Sequence, residues 1–192
     1  MAKKYEFKPD KPNAGLLSKL YLTPKQRKSL LKWVLYGLVL VMLSVLQDVL
    51  LCRIRIFGAT TELVPVGIFL ICVLEGVESG TLFALAAGAM YVFSGASAGN
   101  HVIVLIPVMG CLVTWLRQSY LRSGFAAAML CTAVAMVLYV LTVFFVSVFI
   151  GLTPFSRIGV FGLQTLLSLL AAPALYPLVR LIGKAGGEAW KE

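Results

Sequence analysis

The chain has 192 residues, of which 60% are hydrophobic and only 13% charged, with a formal net charge of +9 and a mean hydropathy of +0.93. A soluble domain is about 45–50% apolar and about 25% charged, so too few charges are present to wet the surface of a soluble fold. The composition points to a membrane protein and excludes a disordered chain, a collagen and a disulfide-rich secreted module.

Positive charge is concentrated at the start. Residues 1–32 hold nine Lys and Arg against Glu6 and Asp10, so they carry +7 and everything after Lys32 only +2. Lys25, Arg27, Lys28 and Lys32 stand just ahead of an apolar run, a pattern that holds a terminus in the cytoplasm and attracts anionic lipid headgroups. Nucleic acid would need aromatic platforms or a basic fold face; neither pattern is present, so no nucleic-acid partner is expected. The first apolar run starts near Leu30, exceeds the roughly 7–15 residues of a secretory h-region and is followed by no A-x-A site, so it reads as an anchor.

In chain order, Lys3 to Pro12 is polar and broken by Pro9 and Pro12. Ala14 to Leu22 places Leu16, Leu17 and Leu20 at helical spacing, which predicts a short interfacial helix within a basic tail at 1–23. Thr23, Pro24 and Gln26 form a capping box that opens helix 1, expected to run to about Cys52 with Gln47 and Asp48 near its far end. Residues 62–95 divide into two 17-residue segments, Glu62–Glu78 and Ser79–Gly95. Two crossings are expected there, with a re-entrant hairpin as the competing arrangement. His101–Leu116, Phe125–Leu152 and Ile158–Ile182 complete six predicted helices, the last kinked by Pro173 and Pro177. The expected architecture is an all-α integral membrane protein with a six-helix domain over 24–183 and a C-terminal tail at 184–192.

Six crossings put both termini on one side. With that side inside, the cytoplasmic pieces hold fourteen Lys and Arg and the outer loops only Arg53, Arg55 and Arg157. This satisfies the positive-inside rule, and the inverted topology does not.

Gly76, Gly80, Ala84 and Gly88 recur every four residues, a stripe that lets helix backbones approach closely. It serves either packing between this chain's own helices or contact with a partner helix, for which the Gly80/Ala84/Gly88 face and helix 1 near Gln47 are the candidates. Asp48, Glu62, Glu75 and Glu78 sit at depth or at the rim, where an ionisable group usually faces a cavity, a cation or water. An ion pair with Arg53 or Arg55 is the expected partner of Asp48, and water that of Glu75 and Glu78. Asp48 falls at the outer end and Glu75 at the inner, which argues against a proton relay.

Gly95-Ala96-Ser97-Ala98-Gly99 matches G-x-S-x-G with His101 nearby, but a nucleophile elbow needs a strand and an acid to orient the base, and neither is present. Cys52, Cys72, Cys111 and Cys131 lie on separate segments with no C-x-x-C pair, so they read as small apolar core groups and not as a metal site. No cofactor and no catalytic residue is expected.

A basic start, a first helix ending in Leu46-Gln47-Asp48, the loop Glu62-Leu63-Val64-Pro65, then Glu75-Gly76 with Gly80 and Gly88, and three further helices with short loops resemble the MreD rod shape-determining family over about residues 30–183. Many members carry an Asp soon after the glycine matching Gly88, where this chain has Ala89-Met90-Tyr91-Val92. The resemblance implies a non-enzymatic component of the bacterial inner membrane that regulates cell shape and lateral peptidoglycan synthesis. Its implied partners are a bitopic MreC-type protein, actin-like MreB filaments, and the glycosyltransferase and transpeptidase of the elongation complex. The family's fold is similar to the substrate-binding subunits of energy-coupling-factor vitamin transporters, which supplies an alternative function. A vitamin-sized ligand would need convergent polar groups, and Asp48, Arg53, Glu62, Asn100, His101, Arg157 and Gln164 are the candidates.

Overall fold

The computed structural model describes residues 24–54, 56–95, 97–120 and 124–185. The expected interfacial helix, Thr23, the tail at 1–23, most of the C-terminal tail, Arg55 and Arg122 lie outside them. Among the described residues six α-helices follow in order: α1 (Pro24–Val49), α2 (Leu63–Glu75), α3 (Val77–Phe93), α4 (Val102–Tyr120), α5 (Phe125–Phe149) and α6 (Ile158–Ala185). Four of them, α1, α4, α5 and α6, are long and apolar enough to cross a membrane. Pro24 begins α1, where its missing N–H removes no helical bond.

The arrangement is organised around α2. It has 13 residues, and every one from Leu63 to Leu74 is buried. At 1.5 Å per residue it is about 20 Å long, short of a bilayer core of about 30 Å. The expected boundary at Ser79 is displaced to Gly76, whose φ of 98° favours glycine because it has no Cβ. One residue therefore turns α2 into α3, and the two helices fold back on each other.

Their closest approach lies where the sequence has Gly80. A Cβ built there would come within 2.9 Å of the Cys72 Cα and 3.0 Å of its carbonyl oxygen. Beside it Ala84 is fully buried, and a Cβ on Gly110 of α4 would meet the Cys72 Sγ at 3.2 Å. Gly88 packs on Ile106 of α4, at 3.5 Å from a built Cβ. The stripe thus seats α3 between α2 and α4.

Contacts fix the direction of each helix. Lys32 of α1 meets Glu75 at the end of α2, and Gln47 of α1 meets Leu63 at its start. Tyr91 returns α3 to Gln47, while α6 runs from Ser168 beside Glu62 to Gly183 beside Tyr36 and Glu75. The first residue of α1 and the last of α6 therefore share the Lys32 end. Hydroxyls within the apolar helices bond their own backbone: Thr114, Thr132, Thr165 and Ser168 each donate to the carbonyl four residues earlier, which removes an unmet donor from an apolar setting.

Gly80→Ala is expected to destabilise the bundle by about 1–3 kcal/mol, since overpacking here presses on backbone. Gly37→Ala on α1, where a Cβ meets nothing within 4 Å, should instead be neutral or stabilise by up to about 1 kcal/mol through helix propensity. Thermal unfolding of the two variants in detergent checks the contrast.

Candidate functional sites at the two ends of the bundle

The first four N–H groups of a helix have no partner within it, and at α2 all four positions are accounted for by two other helices and a proline. The Glu62 N–H donates to Ser168 Oγ of α6 at 2.9 Å. The Leu63 and Val64 N–H groups donate to Gln47 Oε1 of α1 at 2.8 and 3.0 Å. Pro65 has no N–H to satisfy. The other end of the Gln47 amide donates to the Tyr91 hydroxyl at 3.3 Å. Gln47 is therefore a capping residue supplied by another helix. It is buried inside the chain, with its amide committed to α2 and α3.

At the opposite end, Glu75 gathers two groups from α1. Lys32 Nζ lies 2.6 Å from Glu75 Oε2, with both side chains less than a tenth exposed, and the Tyr36 hydroxyl donates to Oε1 at 2.6 Å. Tyr36 also lies 3.4 Å from the Val179 carbonyl of α6. Lys32 Nζ sits 5.3 Å from the centre of the Trp33 ring, and Trp33 and Tyr36 pack on Phe83 of α3. Lys32 and Tyr36 are four residues apart and so share a face of α1. Gly183 leaves the space: a Cβ there would come within 3.1 Å of the Tyr36 hydroxyl and 3.7 Å of Glu75 Oε1.

Two sequence readings change as a result. Lys32 does not belong with the headgroup-facing basic cluster: Arg27 and Lys28 are exposed, whereas Lys32 turns inward because Glu75 offers a charge partner. Glu75, expected to be solvated by water, is held in that buried pair. The remaining acidic residues divide. Glu78 is exposed in the first turn of α3, where the helix dipole favours a negative charge. Asp48 is exposed and makes no ion pair with Arg53 among the described residues. Glu62 is half-buried and hydrogen-bonded to Gln164, with Oε2 buried and without a hydrogen-bond partner among the described residues. The Lys25 side chain lies outside the described residues.

Gly76, Gly80, Ala84, Gly88 and Gln47 all make contacts within the chain, so of the two roles open to them the structure shows internal helix packing. Ser97 donates to the Gly99 carbonyl at 3.5 Å and is not joined to His101, and Ala96 lies outside the described residues. Sequence reading missed Tyr36, Tyr91 and Ser168, because which polar residues meet across helices depends on helix rotation. The visible signals were a Lys and a Tyr on one face of α1 and a lone Gln within an apolar run. No family model matches this chain, nor does any curated protein or solved structure.

Gln47→Leu should leave two buried N–H groups unmet and cost about 1–3 kcal/mol for each, read as a lowered unfolding temperature in detergent. Lys32→Met and Glu75→Leu, each isolating a buried charge, should cost about 3–5 kcal/mol singly, while the double variant recovers most of that loss. Four unfolding curves complete the cycle; additive losses would contradict the pairing.

Proposed function

We propose that this chain is a non-catalytic scaffold of the bacterial rod complex, set in the inner membrane by six crossings with both termini in the cytoplasm. The observation that carries the reading is the outer face of α1. Leu31, Val34, Leu38, Met42, Val45 and Val49 lie along it in steps of three and four residues, and each is more than half exposed. Only 22% of the apolar window of α1 is buried within the chain, and 17% of that of α6, against 44% for α5. An apolar seam with that spacing fits the knobs of one further helix. The bitopic MreC-type partner supplies a single transmembrane helix of that kind. Exposed Arg27 and Lys28 at the foot of α1 are placed for anionic lipid and for filament on the cytoplasmic side. The MreD-like features gathered from the sequence point the same way, and through the bitopic partner to MreB and to the glycosyltransferase and transpeptidase.

A second reading, a vitamin-binding transporter subunit, is favoured by one feature. Glu62 Oε2 and the Tyr139 hydroxyl are both buried without a hydrogen-bond partner among the described residues. A bound ligand would complete them. A vitamin-sized molecule retained through purification and lost in Glu62→Ala would favour this reading over the scaffold.

A photo-crosslinking residue placed at Met42 should capture the bitopic partner in cells, whereas one at Ala84, which is fully buried, should capture nothing. Capture at neither position, together with no co-purification of the wall synthases, would count against the scaffold.

A further inference from the structure

A slot runs between α5 and α6 on the exposed side of the bundle. Two adjoining cavities of about 210 Å³ and about 430 Å³ share Val137, Gly162 and Thr165 as lining. They extend from Ile158 and Phe144 at one end to Pro173 at the other, which is about 22 Å along α6. The lining is apolar, and its one hydroxyl, on Thr165, is tied to the Phe161 carbonyl at 2.9 Å. The slot exists because residue 162 is glycine: a Cβ there meets nothing within 4 Å, so any larger side chain would project into open space.

The mouth differs from the rest. Phe144 packs on Phe161 with ring centres 5.1 Å apart and on Phe155 at 5.8 Å, which closes the two helices together there. Arg157 immediately precedes Ile158 in a 3-10 turn, is exposed, and makes no ion pair among the described residues. An apolar groove about 22 Å long, whose end residue Ile158 follows directly on the exposed cation of Arg157, matches a molecule that has a hydrocarbon chain and an anionic head.

We propose that this slot is a phospholipid site in which one acyl chain lies along Gly162 and Thr165 and the phosphate rests on Arg157. The inference rests on membrane placement of the chain and not on its role as a scaffold. Burial of the chain against Val137, Leu141 and Leu166 supplies the affinity, in proportion to the apolar surface removed from competing environments and the quality of packing. The guanidinium selects for the phosphate by charge-assisted hydrogen bonds.

The test uses the full chain reconstituted with phosphatidylglycerol, transferred to mild detergent with no partner protein present, and examined by native mass spectrometry. The wild-type chain should retain one phosphatidylglycerol. Gly162→Leu and Val137→Phe, which plug the slot from opposite walls, should each lower retention about tenfold. Gly162→Ala, which meets no neighbour, serves as the folding control and should retain the lipid. Arg157→Gln, on an exposed turn, should weaken phosphatidylglycerol while leaving diacylglycerol, which lacks the phosphate, unchanged. Equal retention by the wild type and both plugged variants would overturn the site. So would diacylglycerol binding as tightly as phosphatidylglycerol, or a photo-crosslinker at Leu166 that captures a protein helix and never lipid. Because no partner is present, a negative result here leaves the scaffold reading standing.

Discussion

A helix that touches neither water nor lipid has to find a partner for every end group inside the protein. That requirement falls on α2 and shapes the rest of the bundle. Its four N-terminal positions are met by Ser168, by Gln47 twice and by the absence of an N–H on Pro65. Its C-terminal carboxylate is met by Lys32 and Tyr36. All of these partner side chains but Ser168 come from α1, so the first helix is fastened to α2 at both of its ends and the last helix at its N-terminal end. The aliphatic run from Leu63 to Leu74 could pack against many surfaces; the polar groups at its ends allow very few.

Fastening α1 and α6 by their polar residues leaves their apolar faces unclaimed. In α1 the inward groups Lys32, Tyr36, Leu40, Leu43 and Gln47 form a narrow buried stripe, and the remaining circumference stays open. In α6 only 17% of the apolar window is buried, and Gly159 and Gly162 face no neighbour. The same economy of internal contact therefore produces both surfaces to which binding is assigned here. The glycine and alanine stripe of α3 behaves oppositely. Small residues permit close approach, and in this chain the approach is already made, by Cys72 and Ile106.

How much of this could be read from the sequence follows from what each interaction depends on. Apolar length alone locates α1, α4, α5 and α6, because a helix that crosses about 30 Å needs some 20 residues whatever it packs against. The sequence pattern sets the break at Ser79 and the structure sets it three residues earlier, at Gly76, since the sequence does not show which position takes the positive φ of the turn. Polar side chains within apolar runs stand out in the sequence, but their partners do not. Lys32 looked like one more member of a basic cluster, and its separation from Arg27 and Lys28 depends on a carboxylate 43 positions away. Gln47 was singled out for being polar at depth, yet its role as a cap requires knowing that α2 starts beside it. Local pattern carries element type, whereas pairing between distant residues is a property of the packed bundle.

The spacing of the two polar layers explains why these pairings are so complete. Lys32 and Gln47 stand 15 residues apart on one helix, about 22 Å, which is less than the thickness of a hydrocarbon core of about 30 Å. In a bilayer at least one layer must then lie at hydrocarbon depth, where a charge or amide cannot turn to water. An exposed Lys–Glu pair at the rim would be worth little and would be exchangeable with solvent. A buried pair at depth gains only when its hydrogen bonds are filled as well, and here the Tyr36 hydroxyl fills the second carboxylate oxygen. The tyrosine is thus as necessary as the lysine. A chain with Phe at that position would keep the Lys32 contact and the ring packing, yet leave one buried carboxylate oxygen without its hydrogen bond.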